Sequence, residues 1–206
     1  MALGQHKIEY EVLEGWDHLP EGWSYVEVAG VACDSQDRVY VFNRGTHPMV
    51  IFDKEGKFLN AWGDGMFKSP HGIFIDHNDF LWLADDKAHV VHKCTTDGKI
   101  LMTLGEPGKA ADTGYKIGES PVLRAAGPFH RVTNVAVLPD GDMYIADGYG
   151  NARVHKYSKE GKLLFSWGEP GRGPGQFILP HGIGVDSAGL VYVADRENSR
   201  VQIFSP

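Results

Sequence analysis

The sequence predicts an all-β chain built as a β-propeller, and three observations predict it. One pattern of short strands recurs four times along the 206 residues. The 26 glycines and 11 prolines make up about 18% of the chain against a usual share of roughly 12%, an excess that calls for many tight turns. No window carries sustained helical periodicity, which excludes helical solenoids. Each copy alternates β-branched or aromatic runs with Asp-Gly, Glu-Gly or Asn-rich turns, the pattern of an antiparallel meander. One meander cannot bury both of its faces; several packed radially can. The usual spacing of forty-odd residues suits about four strands per blade.

The elements follow in order. Residues 1–27 read as a closing strand, Ile8 to Trp16, and a lead-in. Blade 1 spans 28–63, running Val31-Ala-Cys-Asp, then Val39-Tyr-Val-Phe42, and ending in Trp62-Gly63. Blade 2 spans 64–105, from Gly72-Ile-Phe-Ile-Asp76 through Leu83-Ala-Asp85 to Leu104-Gly105. Residues 106–128, rich in Gly, Pro and Ala, interrupt the repeat and read as a surface loop. Blade 3 spans 129–168, from Asn134-Val-Ala-Val137 through Ile145-Ala-Asp147 to Trp167-Gly168. Blade 4, 169–206, runs from Gly182-Ile-Gly-Val-Asp186 through Val193-Ala-Asp195 and stops at Phe204-Ser-Pro206, without an outer strand. The expectation is about four blades of a six-bladed ring, with a four-bladed ring closed by the N-terminal strand as the alternative. An open end exposes a blade face and a strand edge, so self-association through it is expected.

Charge and composition exclude several classes. The formal net charge of −7, with no basic run, leaves no footprint for nucleic acid. No apolar stretch approaches the roughly 18 residues of a membrane span, and Met1-Ala-Leu-Gly-Gln-His-Lys7 holds no apolar signal core. A cytoplasmic location is expected for this form. Cys33 and Cys94 are too few for a disulfide framework and read as small core residues.

Positions where the copies differ carry the chemistry. His71 in Ser69-Pro-His-Gly-Ile73 and His181 in Leu179-Pro-His-Gly-Ile183 hold one place in the second and fourth copies, where the others have Ala29 and Thr133. First strands of a propeller line its channel. Histidines in alternate blades of six would therefore set three imidazoles about the axis, a catalytic zinc site with an open position. The other reading of Pro-His-Gly is a turn that opens the strand. Arg44 and Arg196 share a place after the second strand, where the remaining copies carry Asp86 and Gly148. Such a pair can grip a carboxylate, or it can be surface arginine paired with nearby acids. The third copy inserts one residue near Tyr149, between Gly148 and Gly150. That tyrosine can serve as a base or simply as a turn residue. The remaining histidines show no repeat logic and read as surface or packing residues.

The four copies resemble the NHL repeat of β-propellers. The ordered set Arg44, His71, Tyr149, His181, Arg196 resembles the peptidyl-α-hydroxyglycine α-amidating lyase family, over nearly the whole chain. The resemblance implies a six-bladed propeller that cleaves a peptidyl α-hydroxyglycine to a peptide amide and glyoxylate, acting on a small-molecule or peptide substrate at the central channel. It implies His71 and His181 as zinc ligands, Tyr149 as catalytic base, and Arg44 and Arg196 as substrate-site arginines. It also implies a structural calcium held partly by the main-chain carbonyls of Val31 and Ile73. The family's third histidine has no counterpart in the sequence. The alternative is a non-catalytic NHL module that binds a protein or small ligand.

Overall fold

A computed structural model describes residues 10–119 and 121–206. Three four-stranded antiparallel meanders and one three-stranded meander follow one another along the chain. The first holds β1 (Val28–Cys33), β2 (Val39–Asn43), β3 (Met49–Phe52) and β4 (Phe58–Trp62). The second holds β5 (Pro70–Ile75), β6 (Leu81–Asp85), β7 (Val90–Cys94) and β8 (Ile100–Leu104). The third holds β9 (Val132–Val137), β10 (Met143–Asp147), β11 (Arg153–Tyr157) and β12 (Leu163–Trp167). A short parallel pair, β13 (Glu169–Pro170) and β14 (Gln176–Phe177), leads into β15 (Pro180–Val185), β16 (Val191–Asp195) and β17 (Arg200–Phe204). The first strands adjoin in turn, β1 beside β5, β5 beside β9 and β9 beside β15, and so form the inner wall of a β-propeller.

Core residues sit between blades, as radial packing requires. Tyr40, Phe42, Met49 and Ile51 of the first sheet meet Leu81, Leu83 and Cys94 of the second. Trp82, Ala84 and Val91 then meet Val132, Val135, Met143 and Ile145 of the third. Tyr144, Ala152 and Val154 meet Phe177, Val191 and Val193 of the fourth. Two strand faces are therefore apolar in every middle blade, and the fully buried β6 and β10 are continuous apolar runs ending in Asp.

The turn between first and second strands has its own chemistry. Asp34 Oδ1 accepts from the backbone N–H groups of Gln36 and Arg38. Asp76 does the same for Asn78 and Phe80, and Asp186 for Ala188 and Leu190. These Asx turns close the hairpins and fix their register. Burial opposes ionisation at Asp34, but the hydrogen bonds it accepts win and hold its carboxyl below the usual range.

Three details depart from the sequence reading. Tyr10 to Leu13 form no strand and stand exposed, and Ile8, the start of the expected closing strand, lies outside the described residues. The lead-in instead covers the free face of the first sheet, where Trp16, Leu19 and Tyr25 pack on Val41, Val50 and Phe52. Cys94 is buried, and burial pushes its thiol up to about 12, but Cys33 is exposed and is no core residue. Among its described residues the segment 106–128 holds no strand, yet it is more than a surface loop: Thr113 is fully buried and Val122 nearly so.

Candidate active site at the inner wall

Each first strand carries a β-bulge at one repeat position. Val28 and Gly30 oppose Asn43 and Phe42, which leaves Ala29 unpaired. The same slip occurs between Pro70 and Ile73, around Thr133, and between Pro180 and Gly182. His71 and His181 therefore occupy bulges, the device that re-aims a side chain out of a ladder. The approach to each bulge is held by the buried Asp that ends the second strand. Asp85 accepts from Lys68 N and Ser69 N at 2.7 and 2.8 Å, just before Pro70-His71. Asp195 accepts from Ile178 N and Leu179 N at 3.0 and 3.3 Å, just before Pro180-His181.

The two imidazoles meet. Their ring centroids are 4.8 Å apart. The phenol oxygen of Tyr149 lies 3.2 Å from His71 Nε2 and 3.2 Å from His181 Nε2. His71 Nδ1 is 2.6 Å from the Thr133 carbonyl, which can only accept. The proton of His71 is thus on Nδ1, and its Nε2 lone pair faces Tyr149. Thr133, the third copy's residue at the histidine position, buttresses the site through its carbonyl. Its own Oγ1 sits 3.0 Å from the carbonyls of both Ala146 and Pro180.

Electrostatics keep both rings neutral. Burial holds His71 below the usual imidazole value, against the opposing pull of the Thr133 carbonyl. His181 is pushed down to about 4, by burial first and then by His71, Arg196 and Arg44. Neutral imidazoles with converging Nε2 atoms are the form that binds a metal. The carbonyl partner behind His71 is the kind of support such ligands have. Among the described residues, no group of three His, Cys, Asp or Glu side chains gathers to hold a metal. The fit to zinc is therefore that of two ligands.

The arginines sit as the repeat alignment places them. Arg44 Nε donates to the Pro70 carbonyl at 2.9 Å, beside His71, and its Nη1 pairs with Glu27 at 2.6 Å. Arg196 is exposed and lies 3.4 Å from Glu197. Both guanidinium groups act on His181 through their charge, so they border one site while also pairing with acids. Val31 and Ile73 hold equivalent places on β1 and β5, where Gly30 packs against Ile73.

Glycines explain the setting of Tyr149. A Cβ on Gly148 would collide with the Pro180 carbonyl, and one on Gly150 with the His130 ring. The turn can therefore press against both neighbours only with glycine on either side. Arg131 was not legible in the repeat. Its guanidinium carbon lies 4.9 Å above the Tyr149 ring, and it pairs with buried Asp86 at 3.1 Å and with Tyr115 at 3.0 Å. The signal was available in part: Asp86 stands where two other copies have arginine, a buried carboxylate seeking a cation from the next blade.

A fold of radially packed meanders, with histidine, tyrosine and arginine converging on its inner wall, defines a β-propeller with a candidate catalytic centre. The comparisons narrow the class. Residues 177–204 match the NHL repeat model, and the chain is an NHL-repeat β-propeller protein. It is 35% identical to human NHL repeat-containing protein 3, over 96% of this chain and 57% of that protein. It is also 35% identical to a probable peptidyl-alpha-hydroxyglycine alpha-amidating lyase of Caenorhabditis elegans, over 76% of this chain and 43% of that one. The chain thus spans about half the length of the curated relatives it matches. Virginiamycin B lyase from Staphylococcus aureus shares the fold, with a TM-score of 0.56 at 13% identity over 85% of this chain and 54% of its own. No described helix is long and apolar enough to cross a membrane.

Proposed function

We propose that this chain contributes the inner-wall site of a zinc-dependent carbon–nitrogen lyase, which cleaves an α-hydroxyglycine-type substrate to an amide and glyoxylate. The observation that carries the reading is the Tyr149 oxygen held 3.2 Å from the Nε2 atoms of two neutral histidines. The likeness to proteins named as peptidyl-alpha-hydroxyglycine alpha-amidating lyases supplies the reaction. His71 and His181 would be two of the zinc ligands, with a third from another blade of a six-bladed ring. Bound zinc would supply Lewis-acid polarisation of the substrate hydroxyl oxygen.

The chain's own residues do the rest. Arg44 and Arg196 bind the substrate carboxylate, and the Tyr149 oxygen takes the hydroxyl proton. As that proton leaves, the carbon–oxygen bond becomes the aldehyde carbonyl, the carbon–nitrogen bond breaks, and the amide nitrogen takes the proton back from the Tyr149 hydroxyl. Calcium, a hard cation that takes carbonyl oxygen, would be held partly by the main-chain carbonyls of Val31 and Ile73.

The test is glyoxylate release from an α-hydroxyglycine peptide by the full-length protein, with and without chelator, in wild type and Tyr149→Phe. Turnover that survives both treatments overturns the reading. The second reading, a non-catalytic NHL module, is favoured by the 96% coverage in the match to NHL repeat-containing protein 3. It predicts no stoichiometric zinc and no effect of His71→Ala on partner binding.

A further inference from the structure

The segment 106–128 is bolted to the turn that carries Tyr149. Thr113 Oγ1 lies 2.6 Å from the Gly150 carbonyl and 3.0 Å from His130 Nδ1. Ala126 and Asn151 bond reciprocally, backbone N–H to Oδ1 and Nδ2 to carbonyl, each at 3.2 Å. This fixes the segment over the site, and a cavity of about 180 Å³ remains between it and the fourth blade. Tyr149 forms one wall, Tyr115 and Val122 of the segment a second, and Ile178 and Leu179 of the fourth blade a third.

We infer that this cavity is a specificity subsite for an apolar side chain, aromatic or branched aliphatic, on the substrate residue next to the reacting carbon. The inference rests on the lyase reading for the direction of the substrate, and on three observations for the chemistry. The same tyrosine that faces the two histidines walls the cavity, so a group in it is one residue's reach from the reacting atoms. Its volume matches an aromatic ring, since an apolar cavity of about 150 Å³ accepts benzene. Each charged side chain among its described lining residues has a partner. The two carboxylates at its edge, Glu119 and Glu197, lie 3.6 Å from Lys116 and 3.4 Å from Arg196. A charged or small polar side chain gains nothing there, while an apolar one leaves water.

The test separates the subsite from the reaction. N-acetylphenylalaninamide and N-acetylglycinamide, the kind of product amide the reaction would release, are titrated into the full chain by calorimetry or NMR. The phenylalanine amide is expected to bind about tenfold tighter or better, the range for one well-filled apolar pocket. Leu179→Trp fills the cavity and should abolish that preference. Val122→Ala is the milder change, and should shift the preference toward a naphthyl side chain. In parallel, glyoxylate release by the full-length protein is compared for the phenylalanyl and glycyl α-hydroxyglycine substrates. A preference lost in Leu179→Trp, with no glyoxylate from either substrate, upholds the subsite and overturns the lyase reading. Glyoxylate released with equal kcat/KM from both substrates upholds the lyase reading and overturns the subsite. Equal binding of the two amides overturns it as well.

Discussion

Tyr149 is held by what surrounds it rather than by its own strand. Two glycines let its turn close against Pro180 and His130, Arg131 lies over its ring, and two imidazoles face its oxygen. Tyr149→Phe keeps the ring and its packing while removing the oxygen. It should lower glyoxylate release by about 100-fold or more, the usual scale for a lost general base, with the melting temperature nearly unchanged. A large fall in melting temperature would instead make the hydroxyl structural. Arg131 gives a second prediction at this scale. Asp86 is 2% exposed and pairs with it, so Arg131→Leu strands a buried carboxylate. The cost should be about 3 kcal/mol in denaturant unfolding, and the double variant Asp86→Leu/Arg131→Leu should recover part of it. Simple additivity would show that the pair does not interact. The five residues read from the sequence were legible because each breaks a repeat. Arg131 and the Thr133 carbonyl were not, since their partners come from neighbouring blades and no local pattern encodes them.

The repeated unit explains why the histidines point inward. Each blade ends its second strand in a buried Asp or Asn whose oxygen holds the backbone just before the inner strand. Asn43 receives Val26 and Glu27, Asp85 receives Lys68 and Ser69, Asp147 receives His130, and Asp195 receives Ile178 and Leu179. Asp195 also takes Asn198 Nδ2 and Arg200 Nε at 2.6 and 3.0 Å. Asp195→Ala leaves buried donors without an acceptor and should cost about 3 to 5 kcal/mol. Asp195→Asn should cost distinctly less, because Asn43 shows that a neutral amide oxygen can hold the same turn. Equal losses in urea unfolding would mean that the charge, not the clamp, matters. The strands and hairpins were legible at this scale, because Asx turns and alternating runs are local. The bulge was not, because it appears only when two strands are paired and one residue is left over. The insertion was legible as an interruption, but its packing depends on Thr113 meeting Gly150 across the fold.

For the molecule as a whole, acid sets the limit on stability. Burial holds His89 and His92 below the usual imidazole value of 6.5. The unfolded chain then takes up protons before the folded one does. Stability is complete above about pH 6.5 and falls as pH drops below it toward the folded values. Melting temperature should decline through that window, and less steeply in His92→Gln, whose amide can still meet Thr103.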